Sequence, residues 1–402
     1  MALFPRLRFR GFTDAWSKRK LGELARVFDG THQTPLYRRD GVPFVSVENI
    51  ATLETDKFIS REAFRRDFKI TPQTGDILMT RIGDVGATHV VPNDNDLAYY
   101  VSLALLKPRK DTDPRFLAQR IECPQGQREL WQRTLHVAFP KKINKNEIEE
   151  VPISSPGQLL EQTSIGEFFK TLDALIAANQ RKCDLLQKLK RAYLQRMFPG
   201  PGEDVPRLRF HDFNDAWKQR KLGDVADIVG GGTPSTGVGR YWDGDIDWYA
   251  PAEIGEQIYV TGSQRRITEL GLQESSAKIL PVGAVLFTSR AGIGNTAILG
   301  KAGATNQGFQ SIVPYPSDLD SYFIFSRTRE LKRYGETMGA GSTFVEVSGK
   351  QMAQMPLLMP SVPEQQQIGQ FFAFLDHLIT LHQRECDQMK ELKRAYLQKM
   401  FV

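Results

Sequence analysis

A glycine-rich segment in the second half of the chain is the first candidate for a chemical function. Gly292-Ile-Gly294-Asn-Thr-Ala297 fits a relaxed dinucleotide-binding pattern and follows a strand-like stretch at residues 284–287. The pattern requires a helix directly after it, because the helix N-terminus holds the pyrophosphate. Residues 299–303 read Leu-Gly-Lys-Ala-Gly and are poor helix formers. We therefore favour a β-hairpin here, with a cytosolic nucleotide-binding enzyme that uses Gly292 and Gly294 as the alternative.

Residue sets typical of catalytic and metal sites are missing from the sequence. No two of the six histidines have the spacing of metal ligands on one element, and no CxxC pair occurs. The nucleophile pattern G-x-S-x-G is absent. So is the Asn/Asp-Pro-Pro-aromatic motif with which amino-methyltransferases hold the target amine. We therefore predict a protein that is not an enzyme, with no metal site and no cofactor in this chain.

Polar and basic side chains gather instead in loops that also carry aromatic residues. Arg, Asn, Gln, Ser and Thr can read base edges, whereas Lys and Arg hold phosphates. The candidates for DNA contact in the first half are His32, Gln33, Thr34, Arg38, Arg81, Lys141, Lys142 and Lys145. Those in the second half are Thr233, Ser235, Arg240, Ser289, Arg290, Asn306, Gln307 and Lys350. An ordinary solvated loop is the competing interpretation for each of them.

The net charge agrees with a nucleic-acid partner without requiring one. The chain carries 53 Lys and Arg against 47 Asp and Glu, a formal charge of +6. A basic excess favours phosphate contacts and the release of counterions. Ordinary charge variation among proteins would produce the same excess.

The cysteines and the apolar pattern bear on location. Cys123, Cys183 and Cys386 form an odd and unclustered set, which favours a reducing compartment without structural disulfides. No apolar run approaches the length of a membrane span, and no apolar signal-peptide core follows the basic residues near the N-terminus. We expect a cytoplasmic protein with no membrane partner.

The elements that must position the candidate loops are encoded twice. Residues 5–9 and 206–210 are both Pro-Arg-Leu-Arg-Phe, and residues 190–198 recur at 393–401 with a single substitution. Between these borders the two halves differ at most positions. A period of about 200 residues is too long for a solenoid and indicates duplicated domains. Two similar frames with different inserts indicate two related but non-identical recognition events.

A long helix closes each half. Residues 157–198 and 364–401 carry apolar residues at alternating steps of three and four, as coiled coils do. The predicted stripe of the first helix is Ile165, Phe168, Leu172, Leu175, Leu186, Leu189 and Tyr193, widened by Phe169, Ile176 and Cys183. The stripe of the second is Ile368, Phe371, Leu375, Leu378, Met389, Leu392 and Tyr396, widened by Phe372, Ile379 and Cys386. Neither helix could bury its stripe alone, so we predict that the two helices pair.

A polar residue interrupts each stripe near its middle. These residues are Asn179 and His382. The midpoints of two helices meet in an antiparallel pair with full overlap. We therefore hypothesise that Asn179 and His382 lie near a pseudo-two-fold axis and set the register of the helix pair, as buried polar core positions do. Two exposed polar positions on an imperfect heptad are the competing interpretation.

The alternation of inserts and helices defines the predicted architecture. The inserts contain short strand-like stretches, such as residues 42–47 and 76–80, separated by Gly and Pro. We predict an α+β fold, in which two mixed α/β recognition domains alternate with two long helices that pair as an antiparallel coiled coil with pseudo-two-fold symmetry. The predicted segments are 1–156 and 199–360 for the recognition domains, the second including a linker, and 157–198 and 361–402 for the helices.

Several motifs, in a fixed order, resemble a known family. The second half contains Gly231-Gly-Thr-Pro-Ser-Thr236, Tyr241-Trp-Asp-Gly-Asp-Ile-Asp-Trp248, Thr305-Asn-Gln-Gly-Phe-Gln310, Gly341-Ser-Thr-Phe344 and Pro363-Glu-Gln-Gln366. The first half contains a diverged set, including Gly30-Thr-His-Gln-Thr-Pro35 and Phe168-Phe169 with Leu172-Asp173. With a long helix behind each set, nearly the whole chain resembles the specificity subunit of a type I restriction-modification system.

The resemblance implies a function and a set of partners. Each insert would be a target recognition domain that reads one half of a bipartite, asymmetric site in double-stranded DNA. The helices would set the spacer between the half-sites and dock two modification subunits, which act with restriction subunits that translocate and cut DNA. S-adenosylmethionine, ATP and Mg would belong to those partners. The first insert has Tyr99-Tyr-Val-Ser-Leu103 where the second has Asn306-Gln-Gly-Phe309, so binding roles do not transfer to that stretch.

Two further alternatives stay open at this point. One is the specificity subunit of a related system that cuts on both sides of its site with a fused nuclease-methylase. The other is a scaffold whose helices bind partners without any contact to DNA, which a strong salt dependence of DNA binding would contradict.

Overall fold

Two units make up the computed structural model, and each contains parts of both long helices. Unit 1 comprises Met1–Arg181 and Gln383–Val402, and unit 2 comprises Lys182–His382. The residues described are 3–255, 257–290, 292–339 and 346–402. Among them, no helix is both long enough and apolar enough to span a bilayer. The four predicted segments differ from this division, because each long helix is shared between the units.

Unit 1 combines three small sheets with helices. Its strands are β1 (Ser17–Lys20), β2 (Ala25–Asp29), β3 (Val42–Val45), β4 (Phe58–Ile59), β5 (Ile77–Thr80), β6 (Thr88–Val90), β7 (Ala98–Tyr99), β8 (Leu103–Pro108) and β9 (Pro152–Ser155). Its helices are α1 (Leu21–Leu24), α2 (Arg61–Asp67), α3 (Pro114–Glu122), α4 (Pro124–Arg133), α5 (Lys145–Glu149) and the first part of α6 (Leu159–Arg196). The sheets have the strand orders β2-β8-β5-β6, β4-β3-β7 and β1-β9.

Unit 2 repeats this plan, with one more strand in its largest sheet. Its strands are β10 (Lys218–Lys221), β11 (Ala226–Gly230), β12 (Trp242–Tyr249), β13 (Tyr259–Val260), β14 (Arg265–Ile267), β15 (Val285–Phe287), β16 (Thr296–Leu299), β17 (Ala304–Thr305), β18 (Gln310–Pro314) and β19 (Pro356–Met359). Its helices are α7 (Glu269–Gln273), α8 (Ser321–Ser326), α9 (Thr328–Gly339), α10 (Gly349–Ala353) and the first part of α11 (Val362–Lys399). The sheets have the strand orders β11-β18-β15-β16-β13, β14-β12-β17 and β10-β19.

The mixture of sheets and helices confirms the predicted α+β class. The predicted strands at residues 42–47 and 76–80 contain β3 and β5, and each lies in a sheet whose buried side chains form part of a hydrophobic core. Short strands bounded by Gly and Pro fold this way because each strand buries apolar side chains against a neighbour.

Segments of the long helices run antiparallel inside each unit. In unit 1 the rings of Phe168 and Tyr396 lie 4.9 Å apart, and Lys393 Nζ lies 2.7 Å from Asp173 Oδ1. In unit 2 the equivalent contacts join Tyr193 to Phe371 at 4.9 Å and Lys190 Nζ to Asp376 Oδ1 at 2.6 Å. Positions rise along one helix as they fall along the other, so the predicted antiparallel pairing is confirmed within each unit.

The predicted apolar stripe of the first helix is partly wrong. Leu175 and Leu189 are exposed to 47% and 42%, whereas Phe169 and Cys183, assigned only a widening role, are almost fully buried. Two apolar series with three- and four-residue steps are possible on this helix. They share residues 165, 172 and 186 and differ by one residue at the positions between them. Contacts with the antiparallel helix and the recognition domain select the series 165, 169, 172, 176, 179, 183, 186, in which Asn179 occupies a regular position.

Asn179 itself is buried, with 7% of its surface exposed. Its side-chain amide donates to Leu175 O at 3.3 Å and contacts Met389 Sδ at 3.6 Å within unit 1. His382, its counterpart in unit 2, is partly exposed. The role of the two residues in helix register stays a prediction.

A buried ion pair fastens the start of each long helix. Arg8 donates two hydrogen bonds of 2.7 Å to the carboxylate of Glu161, and Arg209 donates two of the same length to Glu364. Both carboxylate side chains are only 1% exposed. Two parallel hydrogen bonds fix the planar guanidinium and carboxylate in one geometry. The segment that precedes each recognition domain is therefore tied to the helix that follows it.

Candidate nucleic-acid interface

In unit 1, three strand ends meet at one edge of the four-stranded sheet. The strand β8 runs antiparallel to both β2 and β5, so its beginning lies beside their ends at Asp29 and Thr80. The loops at residues 30–41, 81–87 and 100–102 therefore leave from the same edge. Backbone hydrogen bonds of 2.9 Å between residues 143 and 81 and of 2.8 Å between residues 83 and 141 add the loop at residues 134–142 to this edge. The structure thus brings together loops that the sequence places far apart.

Arg81 lies beneath these loops and connects them. Its side chain is 8% exposed, its guanidinium is paired with Asp29, and its Nε donates to Ile143 O at 3.1 Å. These partners explain why Arg81 can be buried, because a buried guanidinium needs hydrogen-bond acceptors around it. Burial removes Arg81 from the side chains that a duplex can reach in this structure. In this structure the side chain supports the loops from beneath, and a role in DNA contact stays a prediction.

The other candidates of unit 1 are placed at the surface. His32, Gln33, Thr34, Arg38, Lys141 and Lys142 are all exposed. Arg38 is fixed through its backbone N–H, which donates to Phe58 O at 2.8 Å. Lys145 is only partly exposed and pairs with Glu149 on α5 at 2.8 Å. Lys145 is thus the weakest candidate among them, since part of its charge is already neutralised.

Unit 2 builds the equivalent edge from its own strands. The strand β18 runs antiparallel to β11 and β15, and the loops after Gly230 and Phe287 leave beside its beginning. Backbone hydrogen bonds join residue 232 to 305 at 2.9 Å, 289 to 308 at 2.8 Å, and 347 to 289 at 3.1 Å. Thr233 and Gln307 are in direct side-chain contact through a hydrogen bond. The loops that carry Thr233, Ser289 and Gln307 are therefore neighbours in space.

The candidate DNA contacts of unit 2 differ in how far they are exposed to solvent. Ser235, Arg240, Gln307 and Lys350 are exposed, whereas Thr233, Arg290 and Asn306 are partly exposed. Ser289 is fully buried, at 0% exposure. Its backbone links two loops as that of Arg81 does in unit 1, and its role in DNA contact likewise stays a prediction.

Two tryptophans hold the loop that carries Thr233 and Ser235. Trp248 Nε1 donates to Gly232 O at 2.8 Å, and Trp242 Nε1 donates to Ser235 O at 3.1 Å. The guanidinium of Arg265 lies 3.5 Å from the centre of the Trp242 ring. These positioning residues were not among the predicted site residues. The spacing of the two tryptophans within the motif at residues 241–248 was the available signal.

Comparisons with known proteins agree with this duplicated arrangement. A family model described as the type I restriction modification DNA specificity domain matches residues 13–188 and again 214–391. The chain belongs to this family. The two matches cover one recognition insert and most of one long helix each, which is the repeat found in the sequence.

The chain is also similar to individual specificity subunits of type I restriction enzymes. The chain is 33% identical over 189 residues to the specificity subunit of the type I restriction enzyme MjaIX of Methanocaldococcus jannaschii, covering 46% of this chain and 44% of that protein. It is 24% identical over 266 residues to that of the Escherichia coli enzyme EcoR124I/EcoR124II, covering 62% of each. The alignments thus span about half of these relatives.

A solved structure shares the fold of this chain. The S subunit of a type I restriction-modification system from M. genitalium superposes with a TM-score of 0.69, at 15% sequence identity, over 100% of this chain and 99% of that one. At this identity the likeness concerns the fold alone. It confirms the predicted resemblance of nearly the whole chain to this fold.

The glycine-rich segment at residues 292–297 connects the two strands of a hairpin. It runs into β16, which pairs antiparallel with β15, whereas a dinucleotide site would need a helix here. Thr288 Oγ1 donates to Gly292 O at 2.7 Å and accepts from Asn295 N at 2.9 Å. Thr80 makes the equivalent contacts in unit 1. The preferred hairpin interpretation is confirmed.

Gly294 is required in that hairpin by its backbone. Its φ is +96°, and a Cβ there would lie 2.4 Å from Lys332 Cβ. A glycine alone adopts this conformation without strain and allows α9 to pack so closely.

The motif at residues 341–344 lies outside the described residues.

Two buried tyrosines near the edges have raised pKa values. Burial, followed by the charges of Asp247 and Glu253, raises the pKa of Tyr249 to about 12, and burial also raises the pKa of Tyr99. Both phenols therefore stay neutral at physiological pH. Within the described ranges, no group of three or more His, Cys, Asp or Glu is arranged to hold a metal ion.

A buried carboxylate anchors β12 near the second edge. Asp247 is 0% exposed and accepts hydrogen bonds from Lys301 Nζ at 2.7 Å and from Ser263 N at 3.1 Å. Burial alone would raise the pKa of Asp247, but the hydrogen bond from Lys301 and those from Ser263 outweigh it and hold the pKa below its ordinary value. The ionised form is therefore part of the folded structure.

Proposed function

We propose that this chain is the non-catalytic DNA-recognition subunit of a type I restriction-modification complex, and that each sheet edge reads one half of a bipartite, asymmetric site in double-stranded DNA. The observation that carries the proposal is the duplicated edge itself. The same strand ends, hairpin and inter-loop hydrogen bonds occur in both units, whereas the exposed side chains on them differ. A shared scaffold with different polar tips suits two different base sequences.

The two half-sites should differ in chemistry. The edge of unit 1 presents His32, Gln33 and Arg38 together with Lys141 and Lys142. The edge of unit 2 presents hydroxyl and amide side chains around a Thr233–Gln307 contact, with Arg240 nearby in sequence. Arg prefers the acceptors of guanine, whereas Asn and Gln suit adenine. The asymmetry of the side chains supports an asymmetric site.

The long helices would dock two modification subunits and set the spacer between the half-sites. Apolar side chains remain exposed on both helices in unit 2, to 64% at Leu185 and 60% at Phe374. A contiguous apolar patch is typical of protein-binding surfaces, and in this proposal Leu185 and Phe374 contribute to such patches. Restriction subunits would join through that complex. S-adenosylmethionine, ATP and Mg would be bound by the partners, which would supply methylation and DNA cleavage in the cytoplasm.

The proposal is tested by expressing the chain with its neighbouring modification subunit in a host that lacks such systems. Single-molecule sequencing of genomic DNA would then detect N6-methyladenine. We expect a new bipartite methylated motif that requires this chain. If no motif appears, although the complex assembles and the modification subunit is active with another specificity subunit, the proposal is wrong.

A domain exchange tests the assignment of one edge to one half-site. Residues 22–155 would be replaced by the equivalent segment of another specificity subunit. We expect one half of the methylated motif to change while the other half is retained. A change in both halves would contradict modular reading.

A further inference from the structure

One loop at the edge of unit 1 presents apolar side chains directly to solvent. We refer to residues 134–142 as the wedge loop. In it, Val137 and Phe139 are exposed to 98% and 104% of their reference surfaces. Exposed apolar residues occur singly on many proteins, but two fully exposed side chains at one loop tip form a concentrated apolar surface.

The base of the wedge loop is held firmly while its tip projects. Leu135 N donates to Lys142 O at 2.7 Å, which closes the loop like a short hairpin. The ring of His136 lies 4.2 Å from that of Trp131, and Lys141 Nζ lies 4.5 Å from the centre of the same Trp131 ring. These contacts fix the direction in which Val137 and Phe139 leave the domain.

The wedge loop carries basic and no acidic side chains. Residues 134–142 include Lys141 and Lys142, which are both exposed. The loop is joined to the other loops of the edge by the hydrogen bonds between residues 83 and 141 and between residues 143 and 81. Apolar tips flanked by lysines match a duplex, in which stacked bases lie behind a phosphate backbone.

We propose that Phe139, assisted by Val137, inserts between two adjacent base pairs of the half-site read by unit 1, while Lys141 and Lys142 hold the flanking phosphates. The inserted side chain would partly unstack that base step and bend the duplex, as apolar wedges do in other DNA-binding proteins. This inference rests on the proposed function, because it requires DNA at this edge. Specificity would then depend partly on how easily the base step deforms.

The test uses the full chain in complex with its modification subunits. The probe is a duplex that carries the methylated motif, with 2-aminopurine placed at successive positions of one half-site and away from the methylated adenine. We expect the wild-type complex to increase the fluorescence at one base step, because unstacking relieves quenching. Phe139→Ala should abolish that increase and weaken binding roughly tenfold. Phe139→Leu should retain part of both effects.

Controls separate insertion from folding and from general apolar loss. Because Phe139 is exposed, Phe139→Ala should leave the melting temperature and the assembly with modification subunits unchanged. Ile70→Ala removes a side chain that is 40% exposed and precedes β5, away from the loops that leave its other end, and should change neither fluorescence nor affinity.

The outcomes distinguish this inference from the proposed function. Site-specific binding with no fluorescence change at any step, or with equal signals from wild type and Phe139→Ala, would overturn the wedge and leave the proposed function intact. Loss of subunit assembly in Phe139→Ala, with unchanged binding to DNA, would also overturn it. Absence of any site-specific binding by the wild-type complex would overturn both.

Discussion

Removing the buried partner of Glu364 should destabilise unit 2 strongly. Arg209→Met keeps the aliphatic volume but leaves a carboxylate that is 1% exposed without the two hydrogen bonds of 2.7 Å. Breaking a buried ion pair costs about 3–5 kcal/mol, and the 11% exposure of Arg209 favours the lower end, about 3 kcal/mol. For a unit of this size the melting temperature should fall by about 6–12 °C.

An exposed ion pair in the same segment serves as the control for the buried pair. Arg207 pairs with Glu203 at 2.9 Å, but the side chains are 74% and 36% exposed, so Arg207→Ala should cause no measurable change. Because the chain has two units, urea unfolding should be followed by hydrogen exchange in residues 362–375 as well as by a global probe. Substituting both Arg209→Met and Glu364→Leu should recover much of the loss. Equal effects at Arg209 and Arg207, or no recovery in the double variant, would refute the reasoning.

Three further predictions concern the second recognition domain. The folded structure holds the pKa of Asp247 below its ordinary value, so this carboxylate stabilises the fold above the unfolded pKa and loses that contribution as pH falls. Asp247→Asn should therefore flatten the decline in melting temperature below about pH 4, and an unchanged slope would contradict this. Gly294→Ala should cost about 1–3 kcal/mol in denaturant unfolding, because its φ is +96° and the added carbon would lie 2.4 Å from Lys332 Cβ. Gly237→Ala, with nothing within 4 Å of the added carbon, should cost little, and similar losses in the two variants would argue against this account of Gly294. Gln307→Ala should weaken binding to one half-site in a DNA titration with little loss of stability, because its hydrogen bond with Thr233 is exposed to solvent. Asn306→Ala should also lose about 1 kcal/mol of stability, since its part-buried side chain accepts from Gly308 N at 2.7 Å.

Much of the architecture was predictable because the chain is duplicated. A pattern that occurs twice, such as the hairpins at Thr80 and Thr288, can be judged against its own copy, and both copies have the same contacts. The choice between two apolar series on α6 was not predictable in this way. Both series have the same spacing, and only the surfaces packed against the helix decide that Phe169 is buried and Leu175 is exposed.

The polar site residues were predictable as a group but not one by one. Loop composition indicated several segments that the structure brings together at each edge, and their contact with DNA stays a prediction. It could not reveal that Arg81 turns inward, because its partner Asp29 is 52 positions away and its acceptor Ile143 is 62 away. The exposed tip at Phe139 was missed for the opposite reason, since apolar residues in a sequence usually indicate a core.

The composition of unit 1 has a consequence for the order in which the protein is made. Met400 and Phe401 are 3% and 2% exposed and complete a cluster with Trp16, Phe116 and Phe169. The N-terminal recognition domain therefore lacks part of its core until residues 383–402 have left the ribosome. Unit 2 is continuous in sequence and can close first. Synthesis from the N-terminus thus leaves the first domain to finish last, and it must be kept from aggregation through most of translation.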